Sequence, residues 1–251
     1  KREYQLNNHM SKNVASFLTK LDKLNENTID VFVPSLKKKV STKPLNLKQQ
    51  KDLISSVLDG LKGTLDFSRT LNKIIIQNSG INDLKIYDKI PFIVTMRKNA
   101  LGNKTSTADI DKVIENFKKV PFKLKDEALV KFDNLKLTLK VPTLREENSI
   151  LTKCEQDIST EQDQLKDGVG KLYIYELLKY IQSVQVDDDI LDLSDVKISE
   201  RVKLVEKLPL SVYTKVSSFI EDINKYNSDL LTVDEEEISI DVEFFDTSSN
   251  D

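Results

Sequence analysis

The chain has 251 residues, enough to bury a full hydrophobic core in one domain or two. Hydrophobic residues make up 39% and charged residues 31%, and no apolar run approaches the ~20 residues that cross a bilayer, which excludes a membrane-spanning helix. The net charge of −3 conceals a division: residues 1–150 hold 28 Lys and Arg against 17 Asp and Glu, whereas residues 151–251 hold 10 against 24.

Val14, Phe17, Leu18, Leu21 and Leu24 recur at helical spacing behind Ser11 as a cap, which predicts a short amphipathic helix over residues 11–24. Residues 25–28 are a polar linker. Ile29, Val31 and Val33 then alternate with Asp30 and Phe32 as a strand, Pro34 and Ser35 turn the chain, and residues 36–40 return antiparallel. Lys37, Lys38 and Lys39 make that return strand a poor edge for stray pairing. Pro44 closes the hairpin. Asn46 and Gln49 have capping-box spacing before a helix striped by Leu47, Gln50, Ile54, Val57, Leu58 and Leu61.

A second helix is predicted over residues 66–77, ended by Gly80, with Leu84, Ile86 and Tyr87 in the loop that follows. Residues 90–96 read as a strand with Pro91 near its start, and residues 97–107, with Gly102, as a polar loop. A helix begins at residues 107–110, striped by Ile110, Val113, Ile114 and Phe117, and Pro121 stops it. Residues 128–153 repeat the opening order: a strand, an Asp133-Asn134 turn, a return strand with Leu135, Leu137 and Leu139 on one face, Pro142, and a helix capped by Thr143 with Glu146. Few identities coincide, so two ordinary hairpin-to-helix units are favoured over an old duplication.

Gly168, Val169 and Gly170 break the chain before a core helix over residues 172–184, and Asp187, Asp188, Asp189 and Asp192 fall in a loop between helices. That acidic loop lacks the central Gly and terminal Glu of a calcium-binding loop. Ser194 or Ser199 caps the next helix, which ends near Leu208 and Pro209. Val212, Val216, Phe219, Ile220 and Ile223 mark the last helix, and Ile238, Ile240, Val242 and Phe244 alternate as a terminal strand. The elements predict an α+β fold of β-hairpins and short antiparallel or mixed sheets packed with at least six helices. Three parts are expected: an N-terminal helical extension (1–28), a basic hairpin–helix domain (29–127) and an acidic hairpin–multihelix domain ending in a strand (128–251).

Reactive groupings fail on inventory. One histidine, His9, in a polar lead-in and one cysteine, Cys154, cannot build the usual zinc sites or a disulfide, and nothing marks Cys154 as an activated thiolate. Six scattered glycines leave no phosphate loop, and no Gly-x-Ser-x-Gly occurs. No catalytic residue, metal ligand or cofactor is assigned, and the non-enzymatic reading leads. The basic N-terminal part raises a nucleic-acid-binding module as an alternative, disfavoured because few aromatics interleave with its lysines. Attraction between the two charge-biased parts, within a chain or between copies as a homo-oligomer, accounts for the same asymmetry. The candidate partner contacts are Lys37, Lys38 and Lys39 on the hairpin, Phe244 and Phe245 at the terminal strand, and the N-terminal helix. For the two phenylalanines, completion of the chain's own core is favoured over contact with a partner.

The run Asp30-Val31-Phe32-Val33-Pro34-Ser35, the lysines after it, Lys43-Pro44-Leu45 and Gln49-Gln50-Lys51 resemble the opening of the baseplate hub assembly proteins of T-even-type contractile-tailed bacteriophages. Leu208-Pro209, Lys215, Ile220, Tyr226 and Phe244-Phe245 resemble the end of the same family. The resemblance implies assembly of the tail's central hub through protein–protein contacts, with other hub proteins and the tape-measure protein as partners. It places the protein in the infected bacterial cytoplasm, with release before completion and retention in the virion baseplate both open.

Overall fold

A computed structural model describes residues 12–24, 27–56, 61–103, 109–159, 165–241 and 243–245. Its first element is the amphipathic helix α1 (Lys12–Leu24). The alternating run that follows is β1 (Ile29–Val33), paired antiparallel with β2 (Lys38–Thr42) so that Val31 faces Val40. The return strand begins two residues later than the sequence predicts, because residues 34–37 form the turn and Lys37 takes a left-handed φ of 49°. Asn46 and Gln49 make both bonds of the capping box: the Gln49 N–H donates to Asn46 Oδ1 at 2.9 Å and the Asn46 N–H to Gln49 Oε1 at 3.2 Å. The helix they open, α2 (Leu47–Ser56), buries Leu53 rather than Leu47, which is 81% exposed in the first turn. Val57 and Leu58 lie outside the described residues.

Helix α3 (Leu61–Ser79) is longer than predicted and ends at Gly80, whose φ of 69° a side chain would disfavour and whose N–H donates to Ile76 O at 2.9 Å. After a 3₁₀ turn at Ile86–Asp88, the run expected to be a strand is helix α4 (Lys89–Leu101). Ile90, Pro91, Phe92, Ile93, Val94 and Met96 are all buried there. An element covered on every side has no polar face to set its period, so a short apolar run reads equally as strand or helix. Pro91 sits in the first turn, where its missing N–H has no intrahelical acceptor to lose. Residues 97–101, expected in a loop, complete the helix, and Gly102 closes it with φ 88°. Helix α5 (Ile110–Lys119) buries Ile110, Val113 and Phe117 as predicted and is capped by the Asp109 side chain.

The second hairpin is β3 (Glu127–Phe132) with β4 (Leu135–Lys140), turned at Asp133 with φ 47°. Helix α6 (Leu144–Ser159) follows, its Thr143 and Glu146 exchanging both capping bonds at 3.2 and 2.7 Å. Gly168 and Gly170 do not break the chain. They lie inside α7 (Leu165–Leu178), and the second half of the predicted core helix is instead strand β5 (Ile181–Val186). Its partner β6 (Asp189–Asp192) makes the sheet order β3-β4-β5-β6, antiparallel throughout. The acidic residues are therefore a hairpin turn rather than a link between helices, with Asp187 at φ 51°, a conformation that Asp tolerates.

Neither Ser194 nor Ser199 caps α8 (Ile198–Val205). Its N-cap is Lys197, and Arg201 ties down the approach by donating from Nε to Val196 O at 2.7 Å. Helix α9 (Leu210–Leu231) leads into the short ribbon β7 (Thr232–Val233) with β8 (Glu236–Glu237). The predicted terminal strand is absent among the described residues. After Ile238 the chain reaches a 3₁₀ turn at Glu243–Phe245 that buries both phenylalanines, which a strand would have sent to opposite faces. Val242 is outside the described residues.

Nine helices and three antiparallel sheets among the described residues make an α+β fold. Its buried side chains form one cluster running from Val31 to Phe245. Ion pairs cross between the basic and acidic parts, Lys112 to Asp234 at 2.6 Å and Arg69 to Glu155. No helix of the described residues is long and apolar enough to cross a membrane.

Candidate functional site

The lysine hairpin, singled out from sequence, is open to solvent. Lys37, Lys38 and Lys39 all face solvent, and Lys39 Nζ lies 3.4 Å from Asp30 Oδ2 across the ribbon. That pair is worth at most about 1 kcal/mol at such exposure, so the ribbon is held from beneath, by Val31, Val33 and Val40. His9 lies outside the described residues.

Phe244 and Phe245 are far from the lysines in role: they are 3% and 0% exposed, turned into the chain's own interior. Phe245 meets Phe67 edge-on at 6.0 Å and Phe244 at 5.1 Å, and its carbonyl accepts from Gln50 Nε2 at 2.9 Å. Arg97 of α4, 1% exposed, donates from Nε to Phe244 O at 3.0 Å and from Nη1 to Gly102 O at 2.6 Å, with its guanidinium 5.5 Å from the Phe244 ring centre. Burial pulls the Arg97 pKa below its ordinary value. Of the two readings the sequence offers for these rings, their positions match completion of the chain's own core: both lie beside α2, α3 and α4.

A second charged group was not singled out from sequence. Glu147 on α6 is 4% exposed and receives Lys89 Nζ at 2.7 Å, Lys179 Nζ at 3.4 Å and Asn72 Nδ2 at 2.7 Å. Burial raises its pKa, but the two lysines and the Asn72 bond outweigh that and hold it down at about 2. A carboxylate held there is a weak base near neutrality. Burial likewise lowers Lys179, and Glu147 and Glu176 outweigh it, so its pKa is raised. The four groups come from α3, the start of α4, α6 and the residue after α7, so the cluster pins four segments together. Spacing could not reveal it, because its members are more than twenty residues apart in every pair save Asn72 and Lys89.

Asp88 carries the opposite shift. It is 3% exposed; burial pushes it up to about 6 against the bonds it accepts from Ser35 Oγ and the Lys85 N–H. A carboxyl titrating there is a recurrent mark of catalytic groups, yet both oxygens are occupied in joining the β1–β2 turn to the start of α4. Because the folded form holds this proton more tightly than the ordinary carboxyl, the stabilisation is present below about pH 3.8 and is lost as pH rises through about 6. Urea unfolding of wild type and Asp88→Asn at pH 4 and pH 7 is expected to show the wild type losing up to about 3 kcal/mol more than the variant.

Cys154 is 1% exposed, and burial followed by the nearby Asp157 charge pushes its thiol up to about 11. An aromatic disulfide reagent is expected to leave it unmodified in the native protein and to titrate one thiol after unfolding in guanidinium.

Apolar surface lies open elsewhere on the chain. A groove of about 470 Å³ lies between the β5–β6 hairpin and the junction of α8 with α9, lined by Leu135, Val186, Ile190, Leu191, Leu204 and Leu208. Ile190 is 68% exposed at its rim and Leu210 nearby 81%. On α1, Val14, Phe17, Leu18 and Leu21 are 41–63% exposed. Among the described residues no three His, Cys, Asp or Glu side chains converge as a metal site would require. The arrangement offers contact surfaces and internally satisfied charges.

No curated protein and no solved structure gives a significant match to the chain. A family model does: the one described as T4 bacteriophage base plate protein matches residues 26–240, from just before β1 to just past β8, so the chain belongs to that family and has a structural or assembly role in the phage baseplate.

Proposed function

We propose that the protein acts without catalysis, by protein–protein contact, in building the central hub of the tail baseplate. The observation that carries this reading is the family match over residues 26–240. It is supported by the resemblance of both ends of the chain to hub assembly proteins, and by the use of Glu147, Lys179 and Asp88 in holding the fold. Other hub proteins and the tape-measure protein are its partners, met in the cytoplasm of the infected bacterium. The action is stoichiometric: the chain presents complementary surfaces and holds a partner until assembly.

Family membership also favours a second reading, a subunit retained in the finished baseplate. Affinity capture of the tagged chain from infected cells, paired with mass spectrometry of purified virions, separates the two. An assembly factor is expected to bring down hub proteins and to be scarce in virions. Abundance in virions at a fixed ratio to known baseplate proteins would establish the retained subunit, and capture without any hub protein would overturn the hub assignment.

A further inference from the structure

We infer that copies of this chain bind one another head to tail, with α1 of one copy seated in the β5–β6/α8–α9 groove of the next. Two surfaces of the same molecule carry this, an apolar face on a basic helix and an apolar groove walled by an acidic hairpin. Helix α1 presents Val14, Phe17, Leu18 and Leu21 at i, i+3, i+4 and i+7, one continuous apolar stripe, and all four side chains are exposed. Its sequence is basic, with Lys12, Lys20 and Lys23 against Asp22. The groove has the apolar floor that such a helix requires, Leu135, Leu204 and Leu208, and an apolar lip of Val186, Ile190 and Leu191. The hairpin that makes one wall is acidic: Asp187 and Asp188 are exposed in its turn and Asp189, exposed at the start of β6, lines the groove, with Lys207 as the basic residue in the lining. Laying an amphipathic helix into a groove by its i, i+3, i+4, i+7 anchors is a general recognition mode, and opposite charges at the rim set its direction and speed its docking.

The geometry of a contact between two different patches has a consequence. It is heterologous, so each copy keeps one free helix and one free groove, and association continues to a closed ring or an open string. A 13-residue helix is about 20 Å long, and its single face buries an area at the low end of specific interfaces. The association is accordingly expected in the range of roughly 10–100 μM.

Sedimentation or light scattering of the full chain tests this, with Phe17→Asp to spoil the helix and Ile190→Asp to spoil the groove. Both sites are more than 60% exposed, so both variants are expected to keep the native circular dichroism and melting temperature. The wild type is expected to rise beyond dimer mass with concentration, less so as sodium chloride is raised from about 0.05 to 0.5 M. Each variant alone is expected to remain a monomer. An equimolar mixture is expected to recover association and to stop at a dimer, because the Phe17→Asp copy supplies only a groove and the Ile190→Asp copy only a helix. A wild type that stays monomeric to about 500 μM would overturn the inference, whether α1 sits on its own chain or awaits a different protein. Loss of association with Phe17→Asp alone would show helix-to-helix pairing, and loss with Ile190→Asp alone would show β6 edges pairing. Either result overturns it.

Discussion

Replacing Glu147 by Ala is expected to cost about 3–5 kcal/mol of folding stability, lowering the melting temperature by roughly 10 °C. Removing the carboxylate leaves Lys89 and Lys179, whose side chains are 19% and 9% exposed, without the counter-charge that holds them in place. Lys179 keeps Glu176 at 2.5 Å, but that carboxylate is 45% exposed and its attraction is screened. Glu147→Gln keeps the shape and loses the charge, so it is expected to recover only a small part of the loss. Replacing Glu147 and Lys179 together by Leu and Met is expected to recover part of the loss, since the more buried lysine is then no longer left unpaired, while Lys89, 19% exposed, still lacks its partner. The pH dependence follows from the same group. Its folded pKa lies below the ordinary carboxylate value of 4.5, so its stabilisation is full above pH 4.5 and is lost as pH falls toward about 2. Urea unfolding at pH 7 and pH 3 reads both effects, and the Ala variant is expected to lack that acid-side loss. Equal stability of Glu147→Ala and wild type at pH 7 would show that the cluster pins nothing.

Phe245→Ala is expected to destabilise by about 3–5 kcal/mol, as other fully buried phenylalanines do on truncation. The ring is 0% exposed and shares edge-to-face contacts with Phe67 and Phe244. Its removal opens a cavity where the C-terminal 3₁₀ turn meets α2 and α3, and loosens the turn that Arg97 and Gln50 hold by its carbonyls. Guanidinium unfolding measures the loss. A variant of unchanged stability would mean that the ring is free to serve a partner instead.

The two hairpin-to-helix units were legible in the sequence because their signals are local. Ile29, Val31 and Val33 alternate, Asp133 and Asn134 turn the chain, and Asn46 with Gln49 and Thr143 with Glu146 bond within one helical turn. The errors fall where the deciding contact is distant. Residues 90–96 carry no polar face from which a period could be read, and only the layers packed over them make them helical. Residues 181–186 are a strand because β4 offers them a paired edge, although Leu172, Tyr175 and Leu178 before them continue a helical stripe. Phe244 and Phe245 read as the end of a strand, because Arg97, which clamps their turn, lies 147 residues upstream of Phe244. Of the candidate contacts, the lysine hairpin and α1 kept their exposure. The groove had no sequence signature at all, since its walls come from β4, two hairpin strands and the α8–α9 junction.

The most direct test of contact-driven hub assembly is a count of hub-containing baseplates by electron microscopy. The host is infected with phage lacking this chain, and the chain is supplied from a titratable plasmid. No complete hub is expected without the chain, and the count is expected to rise in proportion to the amount supplied until it matches the wild type. Normal baseplates in its absence, or full yield at trace amounts as a turning-over catalyst would give, would contradict it.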